Sequence, residues 1–146
     1  MNSDSDCTLF KQIQGNYWYQ AYFKFTLVTM KDNGYFNATK MCIDNGKDFA
    51  EWVGQEQTRE FAEHLAAQQT DVMVTGDTQL FSPAMQVIMN HTSWRKVCIP
   101  IVSQDQRITA IYIHPNFKCS LGCWISTEFA IQTSKIVCDH IGCTSM

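Results

Sequence analysis

Residues 33–52 place a turn, a strand start, two helix caps and a helix stop in a short span, and so constrain the fold more than any other stretch. Asn33-Gly34 supplies the positive φ angles of a tight hairpin turn, and Tyr35-Phe36 begins a return strand. Asn37 stands where an N-cap belongs, Ala38–Ile43 gives about one and a half turns of helix, and Asn45-Gly46 stops it. Asp48 caps a second helix, in which Phe49, Val53, Gln57, Phe61 and Leu65 fall on one i, i+4 ridge. Gly54 weakens that helix by roughly 1 kcal/mol relative to Ala and predicts a kink or break there. Two short helices about a sharp turn suit a nucleic-acid reader. The second helix nevertheless sets Glu51, Glu56, Glu60 and Glu63 against Arg59, a charge pattern that a phosphate backbone repels.

Around this stretch the chain alternates β-rich and helical segments. Residues 17–30 read as a strand, with Tyr22, Lys24, Thr26 and Val28 alternating with Phe23, Phe25, Leu27 and Thr29. Residues 68–78 are polar, with Gly76 and Asp77, and read as a loop. Ser82-Pro83 is a cap followed by Pro at the first helical position, predicting a helix to Met89. Residues 97–102 and 108–113, joined by Ser103-Gln104-Asp105-Gln106-Arg107, read as a second hairpin. His114-Pro115 opens a short helix to about Trp124, and Ser126 with Glu128 starts a last helix carrying Phe129, Ile131, Ile136 and Val137. Helical spacing assigns Phe49, Trp52, Phe61, Trp124, Phe129 and Ile131 to the core. There is no internal repeat, low-complexity tract or linker. At 146 residues the chain fits one domain, expected over 17–140, with a polar segment at 1–16 and a tail at 141–146.

A hydrophobic fraction of 45% with 17% charged residues is that of a packed globule. The net charge of −3 excludes nucleic-acid binding by bulk electrostatics and requires a local basic patch. Lys40, Lys47, Arg59, Arg95, Lys96 and Arg107 are the candidates for it, the alternative being scattered solvated charges. Gln55, Gln57 and Thr58 have the donors and acceptors that read base edges; equally, they suit an exposed helix face. The N-terminus lacks the basic and apolar regions of a signal peptide, and no run approaches the roughly 20 apolar residues of a membrane span. An intracellular protein without membrane association is expected. The seven cysteines are then free thiols rather than a disulfide framework, and the Asn37 and Asn90 sequons stay unglycosylated. Cys119-x3-Cys123 and Cys138-x-His140-x2-Cys143 lack the spacing of a common zinc motif, so neither a metal nor another cofactor is expected. His114 reads as a structural residue at a strand-to-helix junction. With no partnered nucleophile in view, the chain is not expected to be an enzyme.

Three blocks carry a family resemblance: Gly34-Tyr35-Phe36-Asn37-Ala38-Thr39-Lys40-Met41-Cys42, then Gly46-Lys47-Asp48-Phe49-Ala50-Glu51-Trp52, then Ile113-His114-Pro115 with Trp124-Ile125-Ser126-Thr127-Glu128-Phe129-Ala130-Ile131-Gln132. In order and spacing they resemble the KilA-N domain of large DNA viruses and phages, which is related to the fungal APSES DNA-binding domain. The chain is also similar to the N-terminal part of poxviral proteins that join a KilA-N domain to a RING domain. It contains no complete RING pattern, so ligase activity is not implied. The resemblance implies a small single α+β domain with a helix-turn-helix-like unit and a β-hairpin wing at 95–113. It further implies duplex DNA as partner and host cytoplasm, at viral replication sites, as location. In the family the helix after Asp48 would approach the major groove; here Gly54-Gln55-Glu56-Gln57-Thr58-Arg59-Glu60 stands where Arg and Lys are usual. DNA contacts are therefore expected from Lys40, Lys47, Gln55, Arg59, Arg95, Lys96 and Arg107, with the first helix and the wing leading. The alternative is a KilA-N scaffold that binds a host or viral protein through the acidic helix.

Overall fold

The computed structural model describes residues 7–68, 83, 86 and 92–141. One antiparallel sheet organises them: β1 (Cys7–Gln14), β2 (Tyr17–Tyr22), β3 (Phe25–Met30), β4 (Phe36–Asn37), β5 (Cys98–Ile101) and β6 (Ala110–Ile113). Their spatial order is β1-β2-β3-β4-β6-β5. The helices are α1 (Ala38–Ile43), α2 (Phe49–Val53), α3 (Glu56–Ala67), α4 (Thr92–Arg95), α5 (Lys118–Ile125) and α6 (Thr127–Ile141), with a 3-10 turn at Pro115–Phe117. The chain is thus a single α+β domain.

Side chains alternate across the pleat, so the two faces of the sheet build two cores. Phe25, Leu27, Phe36, Ile111 and Ile113 face the helices and pack with Met41, Phe49, Trp52, Phe117, Leu121 and Phe129. Val28, Met30, Ala110 and Tyr112 point the other way and join Tyr35, roofed by half-buried Ile13, Tyr17, Tyr19, Ile99 and Ile101. The Tyr17 and Tyr112 rings approach to 5.6 Å between centroids. Burial drives the Tyr112 phenol far above its ordinary pKa, and its hydroxyl donates to the Ile108 carbonyl at 2.7 Å.

The segment 17–30, expected as one strand, is two. Phe23 takes a φ of +54° and, with Lys24, turns the chain so that Tyr22 pairs with Phe25. A left-handed non-glycine residue costs on the order of 1–2 kcal/mol, offset by ring contacts: Phe23 lies 5.1 Å from Tyr22 and 5.3 Å from Phe129, both edge-on. No Gly, Pro or Asn marks this turn, so its alternating pattern reads straight through. The segment Cys7–Gln14 is an edge strand paired with β2, with register shifts between Leu9 and Lys11 and between Gln12 and Gln14. Those irregularities break the alternation by which a strand is recognised.

The helix expected after Asp48 is broken. Asp48 caps α2 by accepting from the Ala50 amide at 3.0 Å, but α2 ends at Gly54, and Gln55 in extended conformation starts α3. The ridge from Phe49 to Leu65 therefore does not exist. Of the residues assigned to the core, Phe49, Trp52 and Phe129 are buried and Trp124 is half-buried, whereas Phe61 is 40% and Ile131 54% exposed. The redirection of α3 at Gln55 brings Thr58, Ala62, Leu65 and Ala66 inward instead. The loop expected at 68–78 and the helix expected from Ser82-Pro83 to Met89 lie outside the described residues, apart from Gln68, Pro83 and Gln86.

α5 and α6 cross at Gly122 because nothing larger fits. A Cβ built there would lie 2.5 Å from Phe129 Cε2, and Phe129 is fully buried among Tyr22, Phe23 and Phe25. In an exposed helix Gly→Ala stabilises by about 1 kcal/mol. Here Gly122→Ala is expected to destabilise by about 1–3 kcal/mol through overpacking, read as a lower urea midpoint with an unchanged slope.

His114 caps the 3-10 turn: its Nδ1 accepts from the Asn116 amide at 3.1 Å, and its ring meets Tyr35 edge-on at 5.5 Å. Both its acceptor role and partial burial favour the neutral ring, and burial lowers its pKa from 6.5. The unfolded chain then binds the proton first as pH falls, so this contribution to stability is full above about 6.5 and is lost below it as pH passes through the folded value. His114→Asn retains an acceptor without the titration. The variant's melting temperature is expected to fall less than the parent's between pH 7 and 5.

Candidate nucleic-acid interface

The first helix is held against the sheet by two residues of its own N-terminus. Asn37 pairs with Tyr112 as a strand residue, and its side-chain oxygen accepts from the Lys40 amide at 2.8 Å as the N-cap of α1. Thr39 Oγ1 accepts from the Ile111 amide at 3.2 Å. α1 is thereby fixed beside β6, and the loop that leads into β6 comes to lie alongside it.

That loop is rigid by its own hydrogen bonds. The Ser103 amide donates to Thr109 Oγ1, and Thr109 Oγ1 donates back to the Ser103 carbonyl, both at 2.8 Å. Asp105 accepts from the Arg107 amide at 3.0 Å and takes the Arg107 guanidinium through two bonds, at 2.9 and 2.7 Å. The arrangement lowers the Asp105 pKa and raises that of Arg107. Tyr19 on β2 adds a smaller contribution in the same direction for Arg107.

Between α1 and this loop lies a cleft of about 350 Å³, lined by Asn37, Thr39, Lys40, Asp44, Gln106 and Arg107 among others. Its wall includes Ile43, 67% exposed. Lys40 pairs with Asp44 one turn along α1. The cleft therefore brings together two of the expected site residues, Lys40 and Arg107, each with a carboxylate partner, Asp44 exposed and Asp105 half-buried. The exposed Lys40–Asp44 pair is worth only about 0–1 kcal/mol, so a phosphate oxygen can exchange with Asp44 at small cost, whereas Arg107 is held more firmly by the two bonds to Asp105.

The other expected site residues are elsewhere. Lys47 lies over the Trp124 ring, 5.4 Å from its centroid. Gln55 lines a separate groove with Trp124. Arg59 is exposed on α3, Arg95 is exposed on α4 and Lys96 is half-buried in the turn before β5. Arg95 thus belongs to a helix rather than to the hairpin, and the β5–β6 hairpin expected as a wing closes the far edge of the sheet. Of the six basic candidates, Lys40 and Arg107 line this cleft and the other four do not.

What the sequence reading missed are the partners, Asp44 and Asp105, and Thr39 as a tether. The i, i+4 spacing of Lys40 and Asp44 was a visible signal; the Ile111 contact of Thr39 was not. Cys119 and Cys123 stand one turn apart on α5, and Cys123 Sγ lies 3.6 Å from Thr133 Oγ1. Cys143 and the side chains of Cys138 and His140 lie outside the described residues. Among the described residues no three His, Cys, Asp or Glu side chains gather as a metal site, and no helix is long and apolar enough to cross a membrane.

The KilA-N domain model matches residues 20–141. The chain belongs to the KilA-N domain family. Similar proteins include a KilA-N domain-containing protein of Acanthamoeba polyphaga mimivirus, 28% identical over 80% of this chain and 21% of that protein. A fowlpox virus protein is 22% identical over 90% of this chain and 76% of its own length. A KilA-N domain-containing protein of invertebrate iridescent virus 6 is 25% identical over 89% of this chain and 32% of its own. This KilA-N domain therefore spans about a fifth to a third of the mimivirus and iridescent virus relatives. No solved structure matches it.

Because Asn37 serves both the sheet and α1, the cleft depends on it. Asn37→Ala is expected to cost about 0.5–2 kcal/mol of stability through the lost cap, and Asn37→Asp about none of the cap term, measured by chemical denaturation of the variants against the parent.

Proposed function

We propose that this KilA-N domain is a non-catalytic viral module that binds duplex DNA through the cleft between α1 and the β5–β6 loop. The observation that carries the reading is the convergence of Lys40 and Arg107 on one concave surface, although they lie on elements distant in sequence. Thr39 and Gln106 add side-chain hydrogen-bonding groups to the same wall, of the kind that position a protein on phosphate and sugar. Two cations and two carboxylates line or flank this cleft, so the net attraction is modest, and the part that comes from Lys40 and Arg107 neutralising phosphates weakens as salt rises. The membership of the relatives in large DNA viruses supports a nucleic-acid role.

The test is fluorescence anisotropy with a labelled duplex across a salt series. Each phosphate neutralised contributes about −0.9 to the slope of log K against log salt. Lys40→Ala with Arg107→Ala is expected to reduce that slope by about 2. Asp44→Asn with Asp105→Asn, which frees the same cations, is expected to tighten binding. Undetectable binding at low salt, or an unchanged slope in the double Ala variant, refutes the reading.

A further inference from the structure

We propose that the groove between α3 and α5 docks a basic, amphipathic segment of a partner protein. It lies apart from the cleft above and does not depend on the DNA reading.

The groove is formed by two pockets that both border Phe61. One, of about 440 Å³, is lined by Gln57, Thr58 and Phe61 from α3 and by Ser120, Cys123 and Trp124 from α5. The other, of about 190 Å³, continues past Phe61 to His64, Gln68 and Asn116. Gln57, Phe61, His64 and Gln68 follow one another at helical spacing, so they form a stripe along α3 of about 16 Å. The Phe61 ring packs on Phe117 at 5.0 Å yet remains 40% exposed. An apolar floor is thus open to solvent between two polar ends.

Charge selects the occupant. Glu56, Glu60 and Glu63 are all exposed and stack at i, i+4 and i+7 beside the stripe, forming an acidic lip. Arg59, at 200° around the helix from Gln57 by the 100° step per residue, lies beyond that lip. The opposite wall, Asn116, Ser120, Cys123 and Trp124, is uncharged. Duplex DNA and anionic membranes meet repulsion here, and a second copy of the chain would bring one acidic lip to another. The chain's net charge of −3 opposes that pairing further. A segment with Lys or Arg on one side and aliphatic residues on the other satisfies both lip and floor. The Lys47 ammonium already lies over the Trp124 ring, 5.4 Å from its centroid, so the basic side of the segment faces the glutamates of α3 rather than that wall.

The probe is a fluorescently labelled peptide of about 12 residues, long enough to follow the stripe as a helix, with lysines and leucines segregated to opposite faces. Two controls replace either the lysines by glutamate or the leucines by serine. Anisotropy is expected to show binding of the first peptide and at least about tenfold weaker binding of both controls. A Glu56→Lys, Glu60→Lys, Glu63→Lys variant and a Phe61→Ser variant are each expected to lose about tenfold. The three Glu positions are exposed, so the charge-reversed variant tests the groove even where Phe61→Ser fails to melt cooperatively. Binding unaffected by charge reversal overturns the proposal, as does equal binding of the serine control. Displacement of the peptide by unlabelled duplex also overturns it, by assigning this face to DNA; failure of duplex to bind anywhere refutes only the DNA reading.

Discussion

Phe36 and Asn37 join the two parts of the sheet, and most of the architecture follows from how much those two residues do at once. On one side Phe36 pairs with Thr29 and on the other with Ile113, while Asn37 pairs with Tyr112. The meander β1-β2-β3 and the hairpin β5–β6 meet at this two-residue strand. Phe36 is fully buried on the helix side, and burying such a ring contributes about 1.5–3 kcal/mol. Asn37 satisfies backbone groups of a strand and a helix in one place, which is why no linker is needed between them. Shortening or lengthening the chain here by one residue would exchange the faces of Phe36 and Asn37, placing an amide in the core and a phenyl ring at the cap.

The same joint decides where charge can matter. α1 departs from the sheet at Asn37, so Lys40 is carried to the edge where the β5–β6 loop returns, and Arg107 meets it there. Several other lysines are engaged with aromatic faces: Lys31 lies 5.2 Å from the Trp18 centroid and Lys118 5.6 Å from that of Tyr22. Their ammonium groups are drawn to the faces of those rings. Three glutamates, in contrast, lie exposed together on α3. A chain of modest net charge thus has two faces of different character, a cleft of balanced charge beside α1 and an acidic lip beside α3.

How much of this was legible in the sequence depends on how local its causes are. α1 could be read to its ends, because the cap at Asn37 and the stop at Asn45-Gly46 lie within a few residues of the helix. The hairpin before it was legible from Asn33-Gly34 for the same reason, although Gly34 takes a positive φ and Asn33 does not, its side chain accepting instead from the Tyr35 amide. The turn at Phe23 was not, since the side chains that hold it include Phe129, far along the chain. Nor was the exposure of Phe61: the periodic pattern counted it with Phe49 and Leu65, and only the new direction taken by α3 after Gly54 separates them. At the candidate cleft, the Lys40–Asp44 pair was readable from spacing, whereas its neighbour Arg107 required the pairing of β4 with β6.

Local legibility also accounts for which residues a family resemblance can carry. The matched blocks are rich in groups with structural duties: Gly34 at a φ of +79° against Pro115, Asn37 and Asp48 as caps, Trp52 and Phe129 in the core. Those duties define a scaffold and leave its surface free to vary. The exposed charged positions of α3 have no such duties, since Thr58, Ala62, Leu65 and Ala66, with the Phe61 contact to Phe117, bind that helix to the core. Replacing basic by acidic side chains on its outer face therefore costs the fold almost nothing, typically within 0.5 kcal/mol at a solvated site. Against a polyanion each such exchange removes one attraction and adds one repulsion. Fold and ligand preference can part company on this helix because packing and solvent-facing charge reside on opposite sides of it.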